Sequence, residues 1–440
     1  MTEITTFAAP RVADSWRWSK DELAAWQLQQ FNQQLAAILP ENRLYHAKYA
    51  GQRPQLKHLD QIAELPLTTK QELVDSAALD PAGVSAHHTY SSERYSRLHR
   101  TSGTSGRPLL VFDSHADWQW WSATWQHVLQ AAQVTSADRV FLAFSFGPFV
   151  GFWSAHQACV DRGATVIPGG GLSSVARLEF MRQTQANVVC CTPSYALHLA
   201  QIARREGIAL ADLGVRCLIV AGEAGGSVAA VRAQLEHTWR AQVIDHSGAT
   251  EIGPWGFGWP TRPGLHIIES SFIAELLPLT AATHETASQE TQLCELVLTS
   301  LGRYGAPLIR YRTGDVVYAT VAPAGCNFTW LPEGVVGRAD DMVIIRGVNV
   351  FPSSIDDIVR RIAGIGEYRV RVRRDGALDS LQIEIEAADD EAQRQLEKLL
   401  STRLGLRIAV CRVAQDSLQP SEHKARRWFD ERFREAEDGL

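Results

Sequence analysis

At 440 residues the chain is longer than one hydrophobic core usually fills, so two or more domains are expected. Hydrophobic residues at 45%, charged residues at 21% and a formal net charge of −6 describe an ordinary globular protein without the basic footprint of a nucleic-acid binder. No window approaches the roughly 18 apolar residues of a membrane span, and the opening residues lack a basic segment followed by an apolar run, so the protein reads as cytoplasmic with no membrane partner.

The first hundred residues read as helical scaffold. Ser19-Lys20-Asp21-Glu22-Leu23 makes a helix start, and apolar residues recur at helical spacing through Ile38. A Gly/Ser/Thr-rich turn follows, Thr101-Ser102-Gly103-Thr104-Ser105-Gly106-Arg107-Pro108. Its backbone N–H groups and hydroxyls can wrap phosphate oxygens, although most such stretches are plain loops. Asp117-Trp118-Gln119-Trp120-Trp121-Ser122-Ala123-Thr124-Trp125 predicts a helix with Trp118, Trp121 and Trp125 on one face. That stripe reads first as core packing and second as the wall of a ligand pocket.

From Arg139 short apolar runs at 140–144, 165–168, 188–191 and 215–221 alternate with helical stretches, the pattern of an α/β sheet with parallel strands. Breaks at 169–171, 222–226 and 247–253 follow these runs, and strand ends of this kind are where ligands sit. The Thr/Ala/Glu-rich stretch 280–291 reads as an exposed loop. After Gly337-Arg338-Ala339-Asp340-Asp341 the composition shifts. Strand-like segments at 368–372, 381–386 and 407–413 alternate with helix-like ones at 354–362 and 390–404, predicting a small α+β domain over 340–440 behind a large one over 1–339. The seven cysteines, Cys159, Cys190, Cys191, Cys217, Cys294, Cys326 and Cys411, form no CxxC pair and fit reduced thiols. Cys190 and Cys191, inside an apolar run, read as buried strand residues.

The turn at 101–108 lacks the Lys-Ser/Thr ending of the common P-loop and the glycine spacing of a dinucleotide fingerprint. It resembles instead the phosphate loop of the adenylate-forming superfamily, the acyl-CoA synthetases and their relatives, written Ser/Thr-Ser-Gly-Thr-Thr/Ser-Gly-x-Pro. His246-Ser247-Gly248-Ala249-Thr250-Glu251 resembles that superfamily's Tyr-Gly-x-Thr/Ser-Glu motif, and Ile309-Arg310-Tyr311-Arg312-Thr313-Gly314-Asp315 its Tyr-Arg-Thr-Gly-Asp motif. The segment from Gly337 to Pro352 resembles the domain hinge in the form typical of the phenylacetate-CoA ligase family. Leu65-Pro66-Leu67-Thr68-Thr69-Lys70-Gln71-Glu72-Leu73 and Cys191-Thr192-Pro193-Ser194-Tyr195-Ala196-Leu197 are similar to that family too. The likeness runs from about residue 20 to about residue 430, with the anthranilate and aryl-acid CoA ligases as the branch it looks like.

The resemblance implies a large multi-layer α/β domain that binds ATP and the acyl group, with a small mobile α+β lid. Thr101, Ser102, Gly103, Thr104 and Ser105 would hold the β- and γ-phosphates of ATP. Glu251 would reach Mg²⁺, a hard cation that prefers carboxylate and phosphate oxygens. Thr250 would contact the α-phosphate. Asp315, assisted by Arg338, would accept hydrogen bonds from the ribose hydroxyls. Gly222, Glu223 and Ala224 would wall the adenine slot, and His246, Ser247 and Gly248 would border the nucleotide. Lys424 would bridge the substrate carboxylate and the α-phosphate, cancelling repulsion between two anions. Asp340 would be the lid's pivot. Each residue also has a plainer reading: Asp315 as a turn cap, Glu251 as the first-turn acid of a helix near Ser247, Asp340 as an exposed loop acid and Lys424 as a solvated helix residue.

The chain departs from the family pattern in two places. Ser247 stands where relatives often carry an aromatic that packs on adenine. Of the cysteines and histidine that hold a structural zinc in some members, only His266 and Cys326 have counterparts, so no structural zinc is expected. Phe144, Phe146, Phe149, Trp153, Tyr195, Trp255 and Phe257 border the acyl site in relatives and suit a small aryl acid, or belong to the core. His246 or His266 is read either as a contact to a ring substituent or as satisfying a backbone group. The function implied is ATP-dependent conversion of an anthranilate-, benzoate- or phenylacetate-like acid to acyl-AMP, then transfer to coenzyme A. Transfer to a carrier protein or an amine and a non-catalytic acyl- or nucleotide-binding role are the alternatives. A homodimer is implied by resemblance alone.

Overall fold

The computed structural model describes residues 12–78, 84–101, 108–279, 292–320, 325–339, 343–345, 348–375, 378–415, 417–418 and 427–432. Ser19 accepts the Glu22 N–H at 3.2 Å while the Glu22 carboxylate takes the Ser19 N–H at 2.8 Å. This reciprocal cap starts α1 (Lys20–Ile38), whose stripe of Leu23, Phe31, Leu35 and Ile38 is buried. Two further helices, α2 (Arg43–Lys48) and α3 (Lys70–Ala78), extend the scaffold. The helical expectation fails before residue 100, because β1 (Tyr95–Arg100) pairs antiparallel with β2 (Leu110–Ser114), from Tyr95↔Ser114 to Arg100↔Leu110. A strand whose partner lies beyond a long turn carries little local signal.

A second reciprocal cap, between Ser114 and Asp117, opens α4 (His115–Ala131) directly after β2. Next come β3 (Arg139–Leu142), α5 (Val150–Asp161), β4 (Thr165–Pro168), α6 (Ser174–Thr184), β5 (Val188–Cys191), α7 (Pro193–Arg205), β6 (Cys217–Ala221), α8 (Ala229–Trp239), β7 (Gln242–Ala249), β8 (Gly253–Trp259) and β9 (Arg262–Ile267). With β13 (Trp330–Leu331) these strands form an eight-stranded sheet in the order β13-β9-β8-β7-β6-β5-β3-β4. The half from β4 to β7 is parallel, as helical crossovers require, and the rest is antiparallel. All four residues of β5 are buried. Burial pushes the Cys191 thiol up to about 12 and raises Cys190 well above its ordinary value, so both remain protonated and unreactive at neutral pH.

A second, antiparallel sheet runs β10 (Phe272–Pro278), β11 (Gln292–Ser300), β12 (Tyr311–Ala319) and β14 (Gly337–Arg338). The C-terminal part has a two-stranded ribbon, β15 (Val343–Ile345) and β16 (Val348–Val350), and then α9 (Pro352–Arg360), β17 (Ile365–Asp375), β18 (Leu378–Ala387), α10 (Asp390–Leu404), β19 (Ala409–Val413) and β20 (Trp428–Asp430). Val370, Ile383, Leu396 and Ile355 centre a core of their own there, distinct from the large cluster around the eight-stranded sheet. The sequence pattern did not anticipate β20, which joins β17 in parallel through Val370↔Trp428. Among the described residues no helix is long and apolar enough to cross a membrane.

Candidate active site

The C-terminal ends of β5, β6 and β7 open onto a cavity of about 170 Å³, the position that parallel strand ends favour for ligands. Trp121 and Trp125 from α4 form one wall, Phe144 and Phe149 another, and His246, Thr250 and Gly222 close the side toward the loops. The tryptophan stripe is thus divided. Trp121 and Trp125 line the cavity, whereas Trp118 stacks on His99 with the Arg97 guanidinium 4.7 Å from its ring. Five of the seven aromatics expected at the acyl pocket, Phe146, Trp153, Tyr195, Trp255 and Phe257, are not among its lining residues. Phe146 packs edge-on against Trp153 at 4.8 Å. The Tyr195 hydroxyl lies 3.1 Å from Ser174 Oγ, and the Arg177 guanidinium covers its ring. Trp255 is only 1% exposed within the core. A wider hollow of about 590 Å³ lies at the C-terminal ends of α7 and α8, the opposite edge of the layer from the strand ends.

Thr101 and Leu109, the residues that follow β1 and precede β2, are tied to each other. Thr101 donates its N–H to Leu109 O at 2.9 Å and accepts the Leu109 N–H on its hydroxyl at 2.9 Å. Ser102, Gly103, Thr104 and Ser105, together with Asp340 and Lys424, lie outside the described residues. Gly222 and Ala224 are exposed. Glu223 lies between them, and its Oε1 accepts the Ser194 N–H at 2.7 Å, placing the carboxylate on the positive end of α7. Gly248, Ala249 and Thr250 line the cavity where β7 ends, and Ser247 pairs with Gly256 across β8.

Glu251 follows in the turn between β7 and β8. Its Oε1 accepts the Tyr311 hydroxyl at 3.2 Å and lies 3.2 Å from Lys70 Nζ. These partners converge because Thr68 exchanges backbone hydrogen bonds with Arg310 and Arg312 at 2.8 Å each, clamping the start of α3 onto the start of β12. The reading of Glu251 as a first-turn helix acid is therefore replaced by a β-turn carboxylate facing a cation and a phenol. Burial, reinforced by Glu251, raises the Tyr311 pKa well above its ordinary value, which keeps the phenol a donor. A carboxylate oxygen is a donor that suits a hard ion such as Mg²⁺.

Asp315 and Arg338 face each other across β12 and β14, with Nη1 3.3 Å from Asp315 Oδ1 and donating to Thr313 O at 2.7 Å. Gly314 between them has φ +74°, and a Cβ there would meet Arg338 Nη2 at 2.8 Å, so a side chain would break the pair. The turn is closed by the Asp315 N–H donating to Thr313 Oγ1 at 3.0 Å.

Sequence reasoning missed Arg303, in the loop between β11 and β12. Its guanidinium is fully buried; Nε donates to Asp113 Oδ1 at 2.8 Å and Nη2 lies 2.7 Å from the same oxygen. Nη1 donates to the carbonyls of Glu251 at 2.7 Å and Thr250 at 3.2 Å. Trp121 adds an indole N–H to Asp113 at 3.3 Å and a ring 5.2 Å from the guanidinium. A single cation thus ties the β1–β2 hairpin to the loop carrying Thr250 and Glu251. No periodicity marks such a residue; a lone arginine in a loop reads as solvated.

His266 and Cys326, the zinc-related pair, are both buried. His266 Nδ1 lies 3.4 Å from Phe328 O, and burial lifts the Cys326 thiol to about 11 against a hydrogen bond from the Phe328 backbone. Among the described residues no group of three or more His, Cys, Asp or Glu is placed to hold a metal.

Residues 37–270 match the family described as AMP-binding enzyme, and residues 347–432 match the AMP-binding enzyme C-terminal domain. The phenylacetate-coenzyme A ligase of Pseudomonas putida is 32% identical over 433 residues, covering 94% of this chain and 95% of its own. Among solved structures, 2-hydroxyisobutyryl-CoA ligase in the postadenylation state with 2-HIB-AMP superposes with a TM-score of 0.86 at 27% identity, over 94% of this chain and 90% of that one. The same ligase with 2-HIB-AMP and CoA in the thioesterification state gives 0.69 at 28% identity, over 94% and 91%.

Proposed function

The chain belongs to the phenylacetate-coenzyme A ligase family of AMP-binding enzymes, and from that premise we propose that it activates a small single-ring aromatic carboxylic acid. It is an AMP-forming acid-thiol ligase that uses ATP and CoA. The observation that carries the aromatic reading is the cavity: about 170 Å³, walled by Trp121, Trp125, Phe144 and Phe149, and bordered by Thr250. An apolar cavity of about 150 Å³ accepts benzene, so this one takes one ring and little more.

In the first half-reaction a carboxylate oxygen attacks the α-phosphorus of ATP, forming acyl-AMP and releasing pyrophosphate. Asp315, held by Arg338, accepts hydrogen bonds from the ribose hydroxyls, which an acceptor-only carboxylate suits. Thr250 holds the α-phosphate at the cavity mouth, and the 101–105 turn cradles the β- and γ-phosphates. Glu251 would hold the Mg²⁺ that accompanies ATP, and that ion would spread the phosphate charge. Lys424 offsets repulsion between the two anions as they approach. In the second half-reaction the CoA thiolate attacks the acyl carbon and AMP leaves. The two TM-scores, 0.86 against 0.69 over the same share of this chain, favour a lid resting as in the postadenylation relative, with rotation near Asp340 preceding thioester formation.

Acid-dependent pyrophosphate exchange across benzoates, phenylacetates and short aliphatic acids, followed by AMP release with CoA, tests this reading. Exchange with single-ring aryl acids above the aliphatic ones is expected. Exchange confined to aliphatic acids, 2-hydroxyisobutyrate among them, would overturn it.

A further inference from the structure

The lining of the acyl cavity is mostly apolar, and among the described residues a side-chain nitrogen acceptor in it has no donor. His246 lines the cavity from β7. Its Nδ1 lies 2.8 Å from Gly256 O on β8, and a carbonyl only accepts, so Nδ1 carries the hydrogen. Burial lowers the imidazole pKa to about 4, opposed by the Gly256 bond, so the ring is neutral and Nε2 presents a bare lone pair. No described residue hydrogen-bonds that nitrogen. Trp125 packs its ring 4.4 Å from the imidazole and holds its plane, yet the buried Trp125 indole N–H has no hydrogen-bond partner either, so it does not reach Nε2 with bonding geometry. The Ser154 hydroxyl, also on the lining, is committed to Gly151 O at 3.0 Å. An acceptor fixed in apolar surroundings without a donor is disfavoured unless the bound molecule brings one.

Resting on the aryl-acid reading above, we propose that His246 selects the substrate: its Nε2 accepts a hydrogen bond from an amino or hydroxyl group on the ring of the acid. The enzyme therefore prefers amino- or hydroxy-substituted single-ring acids to their unsubstituted analogues. A neutral acceptor takes either group, and the two are separated by experiment.

The test compares kcat/KM for pyrophosphate exchange with benzoate and its ortho, meta and para amino and hydroxy derivatives. At least one substituted acid is expected to exceed benzoate by roughly 10- to 100-fold, since a site built to bond a donor leaves its own group unpaired with the analogue. His246→Leu, which keeps bulk and removes the acceptor, should collapse that ratio, and His246→Gln, whose amide oxygen accepts, should restore part of it. Benzoate equal to or better than every substituted acid in the wild type overturns the inference while leaving aryl activation standing. A ratio unchanged in His246→Leu overturns it as well. Should His246→Leu fail to fold, the wild-type ratio and the glutamine variant decide. Exchange with no aryl acid at all would instead overturn the proposed function.

Discussion

Replacing Arg303 by methionine tests whether one buried cation organises the phosphate side of the site. Arg303 and Asp113 are both fully buried, and the guanidinium also satisfies the Glu251 and Thr250 carbonyls. Methionine keeps most of the volume and strands a carboxylate in the core, which costs about 3–5 kcal/mol for a broken buried pair, a large share of the ~5–15 kcal/mol typical of a domain. The loss depends on pH. In the native protein burial pushes the Asp113 carboxyl up, but Arg303 outweighs it and holds the carboxyl below its ordinary range. Stability from this group is therefore present above the unfolded carboxylate pKa of about 4 and lost as pH falls below it. In the variant burial acts without that opposition, so folded Asp113 holds its proton to a higher pH, and the variant weakens as pH rises above about 4. The deficit should be smallest near pH 4 and largest near pH 7. Urea unfolding of Arg303→Met at several pH values measures this, with Arg303→Met/Asp113→Asn as the control that removes the stranded charge and recovers much of the loss. Pyrophosphate exchange should show a raised KM for ATP, because the Thr250–Glu251 turn has lost its anchor. A deficit under about 1 kcal/mol, or one independent of pH, would refute the reasoning.

Lys424→Ala should lower acyl-AMP formation by about 3–4 kcal/mol, as for loss of a transition-state charge contact. Preformed acyl-AMP should still react with CoA, and equal damage to both steps in single-turnover assays would argue against a lysine specific to adenylation. Glu251→Gln should raise the Mg²⁺ concentration needed for half-maximal exchange and cut the adenylation rate by roughly 10²-fold, read from Mg²⁺ titrations of the exchange rate. Asp245 gives a second pH effect: burial, opposed by bonds from Ser227 and the His246 N–H, lifts its carboxyl to about 6. The folded state then keeps a proton that the unfolded chain releases, so this contribution is full below about pH 4 and lost as pH rises through about 6, at up to ~1.4 kcal/mol per pH unit. Asp245→Asn should flatten that part of the stability profile in urea unfolding at pH 4.5, 5.5 and 6.5.

Much of the architecture was legible from the chain alone, where neighbouring residues decide the outcome. Ser19 and Glu22 cap α1 because they are three residues apart, and the apolar run that became β5 is a buried strand whose thiols are inert. The Asp315–Arg338 pair was reachable because both residues sit in recognisable motifs, although their contact depends on Gly314 turning left-handed. Periodicity was silent on β1 and β20, whose stability comes from partners beyond a long turn or in another part of the chain.

Residue order by itself determined the family, the parallel half of the main sheet and the positions where phosphate, ribose and metal chemistry is expected, since each is written in local spacing. Tertiary structure alone decided which aromatics face the cavity, that Lys70 and Tyr311 meet on Glu251, that Arg303 reaches Asp113 across 190 residues of sequence, and that His246 lines the cavity with its Nδ1 beside Gly256 O. The physical reason is common to all four. A hydrogen bond or ion pair is set by where two backbones are carried in space, and nothing in the spacing of either partner encodes the other.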